Sequence, residues 1–188
     1  MTIIQLRETS RDYIAYAFVN TNRELSICAL ALRIDDKLII EDIDFTTCGE
    51  NNADLGDLIK KHLERVRTDP GRYEILTGHA HCRKLKRAVE VFDPYWTIGA
   101  DEGLVPGSIV DGKFYVTRKG RSGDSGALQA IHNYLNPLFG INLNRTLFFH
   151  PAYGSEGKSM TRGLVSVTGY EFNESARFKV REIPVEII

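Results

Sequence analysis

The sequence predicts a single α+β domain with a mostly antiparallel sheet and about three helices. Three observations predict it. Runs rich in β-branched and aromatic residues fill the first quarter and the tail of the chain, broken by short turn-prone pieces. Between them the apolar spacing changes, at three places, to a helical period. The 188 residues carry 43% hydrophobic and 26% charged side chains, ordinary globular composition with enough apolar material for one sizeable core.

In chain order, Ile3 to Leu6, Tyr13 to Val19 and Leu25 to Ile34 are expected strands, separated by Glu8-Thr-Ser and Asn20-Thr-Asn. Asp35-Asp36-Lys37 predicts a tight turn into a fourth strand, Leu38 to Phe45, so that the four form an antiparallel meander. After the polar stretch Thr46 to Asn52, the residues Leu55, Leu58, Ile59, Leu63 and Val66 recur at helical spacing. Asp54 and Asp57 near its start and Arg65 and Arg67 near its end suit the helix dipole, and Asp69-Pro70-Gly71 stops it.

A second helix is expected over His81 to Phe92, with Leu85, Ala88, Val89 and Phe92 on one side and Arg83, Lys84, Lys86 and Arg87 on the other. Tyr95 to Gly99 predicts a strand, and Asp111-Gly112 a primed turn within a hairpin. A third helix is expected after the capping residues Asp124-Ser125, burying Leu128, Ile131, Leu135 and Leu138 and ending by Pro137 to Gly140. From Arg145 onward the tail predicts strands, with Leu164 to Val167 and Phe178 to Val180 the clearest. No linker or low-complexity segment divides the chain, so residues 1–188 are expected to form one domain.

Charge excludes some partners. Lys plus Arg total 24 against 25 for Asp plus Glu, so nucleic acid or a membrane could be met only through a local patch. The N-terminus lacks the pattern of a signal peptide, and no apolar run approaches the ~20 residues that span a bilayer. Cys28, Cys48 and Cys82 are an odd count without framework spacing. These features together lead us to expect a soluble cytoplasmic protein with reduced thiols, no membrane partner and no cofactor.

Three motifs fail on context. Ala152 to Ser159, with Lys158, fits a permissive phosphate loop, but the residues after it predict strand where such a loop opens a helix. Gly123-Asp124-Ser125-Gly126 and the segment around His79 and His81 have the look of protease nucleophile and histidine turns. Both precede expected helices, too close together for the intervening strands such a triad requires. His79, His81 and Cys82 are zinc-type donors, yet a structural site takes four and His62, His132, His150, Cys28 and Cys48 are scattered, so no metal is expected.

Four stretches in sequence order resemble the proteasome β-subunit and its bacterial relative, which are N-terminal-nucleophile hydrolases. They are Met1-Thr2-Ile3; Cys48-Gly49 with Ala53-Asp54 and a long helix; Ile98 to Gly103 with Val110-Asp-Gly-Lys-Phe; and Ser122 to Leu128, with Thr161-Arg162-Gly163 as a later turn. The resemblance implies an αββα sandwich, self-association into a homo-oligomer, and amide or peptide hydrolysis by Thr2. In that chemistry the freed α-amine, with a pKa near ~7.7–8.0 in model compounds, is the base. Lys37 would stand for the lysine beside it, the Gly49 loop for the oxyanion donors, and Ser122 for the family's Ser-Gly loop. Phe18-Val-Asn stands where the family carries an aspartate, and Arg33 occupies the region of its strand lysine, with Lys37 displaced into a turn. The chemistry is therefore expected to be degenerate or altered.

The alternative expectation is a non-catalytic binding protein. Arg83, Lys84, Lys86 and Arg87, joined by Lys119 and Arg121, would form a basic patch for nucleic acid or a protein partner.

Overall fold

The computed structural model describes residues 1–20, 25–47, 53–80, 109–110, 113–114, 135–153, 160–173, 175 and 180–188. It is an α+β fold. Strand β1 (Ile3–Leu6) leads to α1 (Glu8–Asn20), β2 (Leu25–Ile34), β3 (Lys37–Thr47), α2 (Ala53–Thr68) and β4 (Tyr73–Ala80). The two-residue strands β5 (Ile109–Val110) and β6 (Lys113–Phe114) pair antiparallel, in keeping with the expected hairpin, whose turn residues Asp111 and Gly112 lie outside the described residues. Then come α3 (Asn136–Phe139), β7 (Arg145–Tyr153), β8 (Met160–Phe172), β9 (Val180–Ile183) and β10 (Val185–Ile187).

Eight of these strands form one sheet in the order β10-β1-β3-β2-β4-β7-β8-β9. β1 runs parallel to both β3 and β10, and β4 parallel to β7; the other neighbours are antiparallel. The two ends of that order, β9 and β10, are consecutive in the chain and separated only by Pro184. The sheet therefore curls until its edges meet. At the meeting point the Ile4 N–H donates to the Pro184 carbonyl at 2.9 Å, and Gly169 of β8 lies against Ile4 of β1.

The curl gives the sheet an inner and an outer face. Inward side chains from every part of it, including Ile4, Leu6, Ile27, Leu38, Leu76, Leu147, Phe149 and Ile183, form one buried cluster with Ile14, Ala15 and Ala17 of α1. Outward Cys28, Leu30 and Ile75 pack beneath Leu55, Ile59, Leu63 and Val66 of α2 and Phe139 of α3. The helical period read for α2 is thus its buried stripe. Arg67 ties the two outer helices together, donating to the Phe139 carbonyl at 2.5 Å.

Two expectations are corrected. Tyr13 to Val19 is helix, not the second strand of a meander, and Glu8-Thr-Ser is that helix's first turn rather than a break. Burial of Ile14, Ala15 and Ala17 on one side outweighs the β propensity of the aromatic and branched residues. The Glu8 N–H is also bonded to the Ile188 carbonyl at 2.9 Å, which satisfies a donor at the helix start. In α3 the chain ends its helix at Gly140 as expected, in the left-handed region at φ 64°. Leu138, expected inside, is 61% exposed, and its neighbour Phe139 is buried instead. Strand β4 was not expected at all. The second expected helix, the Tyr95–Gly99 strand and the start of the third helix lie outside the described residues.

At one end of the inner face the apolar cluster gives way to charge. Arg33 of β2, Glu74 of β4, Arg145 of β7, Glu171 of β8 and Arg181 of β9 follow one another across five adjacent strands. Arg33 and Arg145 each reach Glu74 at 2.5 Å, Arg145 reaches Glu171 at 3.2 Å, and Arg181 pairs with the other oxygen of Glu171. Their places alternate with core residues on each strand, so all five share the inward face.

The edge closure makes a direct prediction. A Cβ on Gly169 would stand 2.8 Å from Ile4 Cδ1 and 3.0 Å from the Ile183 carbonyl oxygen, where backbone must yield. Gly169→Ala should cost about 1–3 kcal/mol in urea unfolding. Gly71→Ala, with nothing within 4 Å of the new methyl, should be neutral or stabilising by up to ~1 kcal/mol. Equal effects from the two would refute the close approach of β8 to β1.

Candidate functional site

The richest chemistry among the described residues lies on the outer face, where α2 crosses β3. A β-bulge builds it. Leu30 pairs with Asp42 and Ala31 with Ile40, so Glu41 is an extra residue. Before the bulge Leu38 and Ile40 point inward; after it Ile43 and Phe45 do. The shift turns Asp42 and Asp44 away from the core and toward α2.

α2 answers with basic side chains on successive turns. Lys61 Nζ stands 3.2 Å from Asp42 Oδ2 and 3.6 Å from Asp44 Oδ2, and His62 Nε2 is 3.5 Å from Asp42 Oδ2. Arg65 lies 3.8 Å from Glu41. From the other side, Tyr13 of α1 leans on Phe45 with ring centroids 5.4 Å apart and donates its hydroxyl to Asp44 at 3.4 Å. Asp44 also accepts the Phe45 N–H at 2.9 Å, which caps a donor on the exposed side of β3.

These surroundings set the titration of each group. The bond to Asp42 holds the Lys61 ammonium above its ordinary range. Burial pushes the Tyr13 phenol up, aided by Asp44. Burial lowers His62, and Lys61 and Arg65 add to that effect against the pull of Asp42, so the imidazole is favoured neutral. Beneath them Cys28 is buried, and its thiol is pushed up to about 12, first by burial and then by Asp42. A thiol held protonated is no nucleophile. The arrangement can hold and present charge. Among the described residues no three His, Cys, Asp or Glu side chains are placed to hold a metal ion.

Beside this cluster a shallow cleft of about 450 Å³ runs along α2 to the start of β4. Lys61, His62, Glu64, Arg65 and Thr68 of α2 line it, together with Asp69 and Tyr73. The Arg65 guanidinium carbon sits 5.0 Å from the Tyr73 ring centroid and that of Arg72 5.7 Å, so two cations share one aromatic ring.

Two residues expected from the sequence come together elsewhere. The Ile3 N–H donates to the Asp36 carbonyl at 2.9 Å and Ile3 is in register with Lys37, so Thr2 and Lys37 share one end of the sheet. Thr47, the last described residue before Gly49, closes the other end of the 11-residue β3, ~33 Å along the strand. Gly49, Ser122, Arg83, Lys84, Lys86, Arg87, Lys119 and Arg121 lie outside the described residues. Asp42, Asp44, His62 and Tyr73 were not foreseen. One signal was present for His62: it stands among Ile59, Leu63 and Val66 on the apolar stripe, where a histidine must find a partner.

Two predictions follow from the buried groups. Cys28 should resist alkylation in the native protein at pH 8 and react at the rate of unfolding, as followed by peptide mass mapping; rapid native labelling would contradict its burial. For His62 the folded state disfavours the proton, so the unfolded chain takes it up first as pH falls through ~6.5. Stability from this source is complete above that pH and is lost below it. His62→Gln should flatten the acid limb of the stability profile, and an unchanged slope would contradict the assignment.

No helix among the described residues is long and apolar enough to cross a membrane. Comparison with known proteins gives no match to any family model or to any curated sequence.

Proposed function

We propose that this protein is a non-catalytic binding protein whose ligand is an extended polyanion, single-stranded nucleic acid, laid along the outer face of α2. The observation that supports this reading is the cleft lined by Lys61, Arg65 and Tyr73 beside the acidic Glu64 and Asp69, with Arg65 and Arg72 both over the Tyr73 ring. Cations supply phosphate contacts, and an aromatic ring with guanidinium planes supplies a surface on which bases stack. The sequence carries a further basic run after β4, Arg83, Lys84, Lys86 and Arg87, which the reading takes as part of the same binding surface.

The test is fluorescence anisotropy with a labelled oligothymidylate. Binding should weaken steeply between about 50 and 200 mM salt. Charge reversal at Arg65 and Arg72 should weaken it at least about tenfold, with a shallower salt dependence. Reversal of the basic run should do likewise. No binding at low salt, or binding indifferent to these changes, would overturn the reading.

A second reading, altered N-terminal-threonine hydrolysis in a self-associating αββα subunit, draws on one observation: Thr2 and Lys37 share an end of the sheet. The Gly49 loop and Ser122 that this reading invokes lie outside the described residues. The reading requires a native chain that begins at Thr2 and a β-lactone adduct on that residue. Intact mass with Met1 retained would end it.

A further inference from the structure

The ladder of Arg33, Glu74, Arg145, Glu171 and Arg181 is odd in number and begins and ends on arginine. Each carboxylate spends its two oxygens on two different guanidiniums: Glu74 on Arg33 and Arg145, Glu171 on Arg145 and Arg181. Three cations therefore face two anions. The middle is buried, with side chains of Glu171, Glu74 and Arg145 only 10%, 13% and 18% exposed. The ends reach solvent: Arg33 is 32% and Arg181 62% exposed. Each terminal guanidinium meets its carboxylate through one nitrogen, Nη2, of a group that carries five N–H donors.

The ladder covers β2, β4, β7, β8 and β9. Because the sheet closes on itself, the strands from β9 round to β2 are β10, which continues β9 past Pro184, then β1 and β3. The inward positions of β1 and β3 at that end are Ile4 and Leu38, with Thr2 one step further out on the same face as Ile4 and Leu6. A surplus positive charge, two solvent-reached guanidiniums and a hydroxyl position thus surround one rim of the curled sheet.

We propose that this rim is a binding site for a compact dianion, a phosphate or a small dicarboxylate, bridged between Arg33 and Arg181 and met by the Thr2 hydroxyl. The anion completes the alternation of charge around the sheet. Arg33 and Arg181 lie on strands at the two ends of the ladder, so the ligand also fastens β9 to β2 across the closure. The site is separate from the α2 cleft and rests on neither functional reading above.

The experiment is thermal unfolding with inorganic phosphate and, separately, with succinate, each against sodium chloride at matched ionic strength. At about ten times its Kd the bound anion should raise Tm by roughly 4 °C. Arg181→Gln should abolish the rise, and Thr2→Val should weaken the anion several-fold, while the Arg65/Arg72 double variant of the cleft keeps it in full. Arg181 is the exposed end of the ladder and Glu171 keeps Arg145 when it is lost, so Arg181→Gln should fold; Thr2→Val reports independently. The proposal is overturned by no rise over chloride with either anion. It is equally overturned by a rise that survives Arg181→Gln or disappears in the cleft variant.

Discussion

The meeting of the sheet's two edges over residues 180–187 is the constraint on which the other elements depend. β9 pairs with β8 and β10 with β1, so one short run of chain serves both edges. Pro184 sits where the run changes partner. Lacking an N–H, it could not continue a ladder on both sides, and there it does not need to; its carbonyl still receives Ile4. Remove this run and β1 keeps only three parallel pairings to β3, while β8 becomes an open edge. α1 would lose the Ile188 carbonyl at its first turn and the inward residue Ile183, which shares the buried cluster with its own side chains.

Curling the sheet limits what fits inside it. The middle of β2 reads Leu25-Ser-Ile-Cys-Ala-Leu-Ala-Leu, with alanines at the inward positions 29 and 31. α1 contributes Ile14, Ala15 and Ala17 to the same buried cluster. A helix can lie inside the curve because both surfaces are trimmed, as close packing demands. Gly78 extends the same economy to β4, since a Cβ there would stand 2.8 Å from Ile27. The outer face has no such restriction, and α2 covers it with leucine, isoleucine and valine.

This contrast decides what could be read from the sequence. α2 is amphipathic against an open face, so its period is plain, and the β2–β3 hairpin shows itself through Asp35-Asp36, with Asp35 left-handed at φ 54°. α1 is enclosed on one side by small residues and carries aromatic ones on the other, which dilutes its period and mimics strand. β4 hides because Thr77, Gly78 and His79 interrupt its apolar run, although neighbours on both sides cover it. The bulge at Glu41 was equally silent. Without it Asp42 and Asp44 would alternate into the core with Leu38 and Ile40, so a strict period of two assigns them to the wrong face. Nothing local connects residues 33, 74, 145, 171 and 181, and only the strand order of the folded sheet assembles them.

The ladder and the α2 cluster use charge to different ends. At α2 the pairs are half-exposed, and Lys61 shared between two aspartates gains little from them in water. The ladder's central members are out of water, where desolvation offsets much of the attraction. Its larger consequence is selection of register. A slip of one residue in β7 or β8 moves every side chain of that strand to the opposite face. Arg145 or Glu171 would then stand among the outer apolar residues, and two of the four ion pairs would be broken at once. A curled sheet with parallel and antiparallel neighbours and a helix inside it has several near-equivalent apolar registers, since leucine and isoleucine substitute for one another in packing. Four linked ion pairs do not. The strands are therefore held to one pairing by the charges at the rim, and the apolar interior packs within the pairing those charges fix.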